Sequence, residues 1–403
     1  MRKIDELLPG VGRADEAGLR AVPPEALARY ATARQHVWWR RKACVEALAG
    51  RVPERRVPDL LARIRDRQES GEVRIALLAL LGDRAELLPW LLRHDERTDG
   101  AHGLRPAVLQ ARGRLGDLTA ARELATLAFS PWQHEEATGE AGLAGLVGRL
   151  GSERVLAELG VGRPEDRWFG FLTRYRADAD VTDALADPDP SVAFRSHHLQ
   201  SDPARLREYA DRAPTEQAAL LAAYAVHELT DDRAELRSRY AALGSPRVTV
   251  PGLDEEVRRA ILHEYAPWCQ SATDPRWRVE ALCTPAPEPV DQEAQLARAT
   301  AALAHAGLAP QPPVHCREDN RQGDGTYHVI RYGGAEDPVL VSTLGAFATG
   351  EDDDCPARPV LEAAGLRWID AETGSVRVTD LYVYYFGSRA PLTVDTLLFF
   401  WQD

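Results

Sequence analysis

A short pattern returns three times in the middle of the chain. LGDRAELLPWLL begins at Leu81, LGDLTAARELATLA at Leu115 and LGSERVLAELG at Leu150. This period of about 35 residues constrains the fold more than any other feature of the sequence. A pair of helices that short cannot bury its apolar faces alone, whereas stacking on a neighbouring pair buries them. The repeat therefore predicts an array of stacked helical hairpins.

The local chemistry fits. In VRIALLALLGDRAELLPWLLRH, Val73, Ala76, Leu77, Leu80 and Leu81 recur at helical spacing. Gly82 is expected to end that helix in the left-handed region, and Asp83 to cap the next, whose apolar face carries Leu87, Leu88, Leu91 and Leu92. Upstream, Leu48 to Gly50 precedes VPDLLARI in the same register. Downstream, Asp-Pro turns start the helices of ALADPDPSVAFRSHHLQSDPARLREYADR, and PTEQAALLAAYAVHELTDDRAELRSRYAALG supplies one more pair. Pro24, Pro190, Pro203 and Pro214 stand where first-turn prolines belong. LDEEVRRAILHEYAPW and DPRWRVEALC still read as helical but leave the pattern.

These junctions, Asp-Pro starts and paired amphipathic helices resemble the HEAT-repeat family, including its bacterial short-repeat branch, over residues 36–244. The resemblance implies a mainly α fold, an α-solenoid whose second helices line a concave side. On those helices Arg63, Arg67, Trp90, Arg93, Arg122 and Arg207 are the side chains best suited to planar hydrogen bonding or aromatic anchoring.

Beyond Cys283 the period changes. TPAPEPVDQ is a Pro-rich linker, residues 284–291, between a helical domain (1–283) and an acidic α+β domain (292–403). EAQLARATAALAHAG and CPARPVLEAAG read as helices. PVHCRED, GTYHVIRYGG and DPVLVSTLGAFA read as short strands of a mainly antiparallel sheet. LRWIDAETGSVRVTDLYVYYFG is expected to form a hairpin turning at Glu372 to Gly374, and LTVDTLLFFWQ a last strand.

Charge and cysteines narrow the function. The net charge is −13, unevenly spread. Residues 1–150 carry 24 Lys/Arg against 21 Asp/Glu, residues 151–290 carry 17 against 24, and residues 291–403 carry 8 against 17. Such a chain is no typical DNA binder, and its acidic half suits a cationic protein or peptide. Five scattered cysteines without a CxxC spacing argue against a disulfide framework or a structural zinc site. MRKIDELLPG lacks the apolar stretch of a signal peptide, and IALLALL is too short to span a bilayer, so a cytoplasmic protein without membrane contact is expected.

Four constellations carry possible chemistry. His94-Asp95, His134-Glu135, His227-Glu228 and His263-Glu264 echo the His-Glu pairs that HEAT-repeat di-iron hydroxylases place on successive repeats; His134, Glu135, His263 and Glu264 are the candidate metal ligands of that alternative. WWRRK at Trp38, followed by further arginines, could stack bases and neutralise phosphates, as HEAT-like DNA glycosylases do on a concave basic surface. Glu351 to Asp354 is a run of acids without EF-hand spacing. Tyr382 and Tyr384 alternate with Val383 and Tyr385 and could present an aromatic face. No P-loop, nucleophile elbow, HExxH or dinucleotide fingerprint is present. The expectation is a non-catalytic scaffold or adaptor, of inhibitor or immunity type, for a cationic protein or peptide, without cofactor. A HEAT-like enzyme and simple nucleic-acid binding are the alternatives.

Overall fold

The computed structural model describes residues 4–8, 14–95, 99, 101, 103–333, 338–387 and 391–402. The chain is mainly helical, with a small, mainly antiparallel sheet in its last third. It divides into two compact units, Met1–Asp178 and Ala179–Asp403.

In the first unit the hairpins stack as the period requires. Helix Trp38–Glu46 packs on Gly71–Leu81, which packs on Leu104–Arg114, which packs on Gln133–Leu150. The second helices of the pairs, Val57–Arg65 and Ala121–Ala128, lie against this row. Leu60, Leu61, Ile64, Val73, Leu77, Leu81, Leu87 and Leu91 share one core. The crossing of Leu104–Arg114 with Gln133–Leu150 depends on glycine. A Cβ at Gly113 would strike the Gly142 carbonyl, and one at Gly142 would strike the Leu124 side chain, so the backbones approach more closely than any larger residue allows.

The junctions differ in detail from their expected geometry. Gly116 and Gly151 have positive φ (81° and 83°), but Gly82 is right-handed at φ −65°. Glycine is needed at 82 for space, because a Cβ there would meet Ala111 and the Leu78 carbonyl. Among the described residues Asp83 caps no helix; a 3-10 turn Ala85–Leu87 leads into Leu88–Leu91, and Leu92 is exposed. Asp117, by contrast, accepts a hydrogen bond from the Thr119 amide at its helix start.

In the second unit, Asp-Pro starts behave as read. Asp189, Asp202 and Asp274 accept from amides of the first turn and Pro190, Pro203 and Pro275 open their helices, each cap contributing about 1 kcal/mol. Pro214 stands before the cap Thr215 of Glu216–Thr230 instead of inside the first turn. Helix Glu216–Thr230 packs against Pro203–Arg212, Arg233–Ala242 and Pro275–Cys283.

The strands are β1 (Val314–His315), β2 (Asp324–Gly325), β3 (Tyr327–Ile330), β4 (Val339–Ser342), β5 (Phe347–Gly350), β6 (Arg367–Trp368), β7 (Arg377–Val378), β8 (Leu392–Thr393) and β9 (Trp401–Gln402). The main sheet runs β1-β3-β4-β5-β6, antiparallel except for the parallel pair β5-β6. Its side chains alternate between two cores. Ile330, Val339, Val341 and Ala348 join Ala299 and Leu303 of helix Gln292–His305 and Leu361 of helix Ala357–Ala363. Tyr327, Leu340 and Phe347 face the other way, toward Ile261, Tyr265, Trp277 and Leu397. This second core takes residues from both sides of the Pro-rich 284–291 segment.

Two strand expectations are corrected. Residues 371–374 form a helical turn, not a hairpin bend, because Asp370 caps it through the Thr373 amide, and β7 pairs with β8 instead of β6. LTVDTLLFFWQ is not one strand but β8, helix Val394–Leu398 capped by Thr393, and β9.

Candidate functional site

Most of the arginines singled out for the concave helices are already engaged. Arg63 pairs with Asp66 at 3.1 Å and Arg207 with Glu235 at 2.8 Å. Arg67 also has an interaction partner. Trp90 packs against the first core, with Arg74 5.7 Å from its ring. Only Arg93 and Arg122 are exposed without a side-chain partner among the described residues. Arg207 belongs to the second unit and the other five residues to the first.

The WWRRK stretch is neutralised within the chain. Trp38 is exposed, but Trp39 packs on the core, Arg40 meets Asp5, Arg41 is buried against Glu69 at 2.5 Å, and Lys42 meets Glu72. The acidic run is a structural turn. Asp353 accepts from the Trp368 indole and the Ala371 amide, both at 2.9 Å.

The His-acid pairs have separate environments. His94 bonds Asp99 at 3.1 Å. His134 is exposed, and Glu135 accepts from Ser130 at 2.5 Å near its helix start. His227 is near the end of its helix, with a buried Nδ1 that has no partner among the described residues. His263 lies 3.3 Å from Thr284, and burial lowers its pKa. Among the described residues no group of three or more His, Cys, Asp or Glu is placed to hold a metal ion.

Glu264, the neighbour of His263, belongs to a different arrangement. Helix Glu255–Tyr265 ends in a 3-10 turn, Ala266–Trp268, so Glu264, Tyr265 and Trp268 fall on one side. They line a cavity of about 490 Å³ with Gly323, Asp324, Gly325, Thr326, Tyr385, Phe400 and Gln402. The opposite wall is the β2-β9 pair, Asp324 facing Gln402 and Gly325 facing Trp401. It is pinned from below: Thr326 donates to the Leu398 carbonyl and accepts from the Phe400 amide, and Tyr265 donates to the Leu397 carbonyl at 2.5 Å. Gly323 has φ +80°, and a Cβ there would run into the Gln402 carbonyl, so this wall closes only with glycine.

The cavity combines two carboxylates with a corner of aromatic rings. Trp268 and Tyr385 are exposed, their centroids 5.3 Å apart and tilted by 54°, and Tyr385 and Phe400 stand 6.3 Å apart at 33°. Glu264 is half-buried, and burial alone raises its pKa. No hydrogen bond or ion pair reaches its carboxylate among the described residues. Among the described residues Asp324 accepts only from the adjacent Gly325 amide, at 2.9 Å.

The expected Tyr382–Tyr385 strand does not form. Val383 bridges Cys269 in an isolated pair, Tyr384–Phe386 is a 3-10 turn, and Tyr384 and Tyr385 are both exposed while Phe386 is buried. Residues 388–390 of that stretch lie outside the described residues. The pocket was not visible in the sequence because its parts come from four distant segments; the only local signals were the aromatic run at Tyr382 and the acid–aromatic alternation of HEYAPW.

Comparison of the chain with known protein families, curated proteins and solved structures finds no match. No helix among the described residues is long and apolar enough to cross a membrane.

Proposed function

We infer that this chain is a non-catalytic binding protein for a cationic peptide or protein, and that the cavity of the second unit anchors one positively charged side chain of that partner. The observation that carries the reading is the half-buried Glu264, without a partner among the described residues, in an aromatic-walled cavity. Burial without a counter-charge is a cost to the carboxylate, and a cationic ligand relieves it while the ring faces add cation–π attraction. The acidity of the sequence beyond residue 150 favours the same partner through longer-range attraction. Stacked hairpins, and the HEAT-repeat resemblance, fit a scaffold that displays such a site. A cytoplasmic adaptor, inhibitor or immunity protein acting on a basic partner is the proposed biological role.

The test is calorimetric titration of the full chain with a short Lys/Arg-rich peptide and its Glu-substituted counterpart. The basic peptide binds saturably and more weakly at high salt, and Glu264→Gln or Trp268→Ala weakens it by about tenfold, equivalent to about 1.4 kcal/mol. Undiminished binding by both variants, or no binding by the wild-type chain, removes the cavity from the proposal.

A further inference from the structure

The shape of the aromatic corner bears on which cation it takes. A guanidinium is a flat fork. It is best held in a slot, stacked on a ring face with its edge aligned to a carboxylate for two parallel hydrogen bonds. The second unit shows what such a site looks like: Arg258 lies 4.8 Å from the Trp277 ring and presents both Nη atoms to Glu280 at 2.6 Å. The cavity's rings are inclined instead, Trp268 to Tyr385 by 54° and Tyr385 to Phe400 by 33°, so no group can lie flat on all of them at once. Rings inclined to one another form a corner, and a corner gives several π faces at once to a compact, isotropic charge.

The polar side points the same way. Glu264 and Asp324 are the carboxylates of the lining, and apart from the Gly325 amide on Asp324 no donor among the described residues engages them. They supply negative potential at the rim of an apolar corner instead of a prearranged fork. The cavity, about 490 Å³, is wide enough for a substituted head group with its alkyl stem.

We propose that the cavity formed by Trp268, Tyr385, Phe400, Glu264 and Asp324 is an aromatic cage for an alkylated ammonium, of the kind carried by a methylated lysine side chain, in preference to a guanidinium. The proposal rests on the cation-anchoring reading above and narrows its ligand class.

The experiment uses the full chain and three peptides of one sequence that differ at a single central position: trimethyllysine, lysine or arginine. Calorimetry gives the three affinities, and each titration is repeated with Trp268→Ala, Tyr385→Ala and Glu264→Gln. Trimethyllysine binds at least about fivefold more tightly than arginine, and Trp268→Ala or Tyr385→Ala removes that preference. Because both aromatic side chains are exposed, these variants keep the wild-type circular dichroism spectrum, and a change in it for one leaves the other to decide. If arginine binds as tightly as trimethyllysine, or more tightly, and the variants weaken it, the cage is wrong but the cation anchor stands. If no peptide binds, or the variants change nothing, both fall.

Discussion

Two buried arginines hold equivalent places in the two units. Arg74 and Arg258 are each the fourth residue of a helix, and each reaches back to a carbonyl ten residues upstream, Ile64 and Val248 respectively. Each grips a carboxylate with two nitrogens, Asp99 at 2.5 and 2.8 Å and Glu280 at 2.6 Å twice. Each lies near a tryptophan, Trp90 at 5.7 Å and Trp277 at 4.8 Å. The surroundings differ. Asp99 shares its charge with His94, and the Arg74 helix ends at the Gly82 junction that hands the chain to the next hairpin. Trp277 joins the core that includes Phe347, Ile369 and Leu397, and the Arg258 helix ends in the Glu264–Trp268 wall of the cavity. One local device is used twice, and the copy that leaves the repeat pattern carries the candidate site.

The largest effect expected from breaking this parallel is on stability. Arg74→Ala and Arg258→Ala each strand a buried carboxylate and each cost about 3–5 kcal/mol in urea unfolding. Only Arg258→Ala also weakens binding of the basic peptide at a urea-free temperature where the fold persists. A cost below about 1 kcal/mol for either variant would show that the two devices are not equivalent.

Acid separates the units next. His197 is buried, and its pKa falls to about 4, first through burial and then through His198 and Arg278. Its folded pKa lies below its unfolded one, so the unfolded chain binds the proton first. Stability is complete above pH 6.5 and declines from there to about pH 4, by about 3 kcal/mol in all. In the first unit Asp99 is held below the usual carboxylate range, chiefly by Arg74, so its contribution is present above that range and is lost only as pH falls below 3.8. Hydrogen exchange at pH 5 should show protection falling in residues 179–403 before residues 14–178. Simultaneous loss in both would deny the difference.

A third prediction sharpens what is special to the first unit. Gly142→Ala forces its Cβ into Leu124 and costs about 1–3 kcal/mol, whereas Gly148→Ala, on the same helix with nothing within 4 Å, is neutral or stabilising by up to about 1 kcal/mol. The melt of Gly142→Ala should fall, and that of Gly148→Ala should stay or rise. The smallest effect is at His134, exposed and outside any metal-binding group among the described residues, where Ala changes stability by less than about 0.5 kcal/mol with or without added iron.

The sequence made the hairpins legible because periodicity and Asp-Pro starts are local signals, and the caps at Asp189 and Asp202 form where those signals stand. One further recurrence marks the fold. EVR occurs at Glu72–Arg74 and again at Glu256–Arg258, and both arginines are buried. That recurrence places residues 256–258 at the same helical positions as residues 72–74. The two-residue strands β2, β7, β8 and β9 are too short to show an alternation, so the segment after Ile369 could not be assigned from pattern. The cavity was illegible for a different reason. Asp324 and Phe400 reach Glu264 only through long-range pairing, which no local window records.

The core shared by Tyr265, Trp277 and Leu397 also fixes an order of events during synthesis. Residues up to 178 contain complete hairpins and can collapse soon after they emerge. Helix Glu255–Tyr265 completes its core later, because the Leu397 carbonyl that receives the Tyr265 hydroxyl is made 132 residues afterwards. Until then the apolar side of that helix stays open to chaperones or to wrong partners, a delay of roughly 7 to 26 s at 5–20 residues per second.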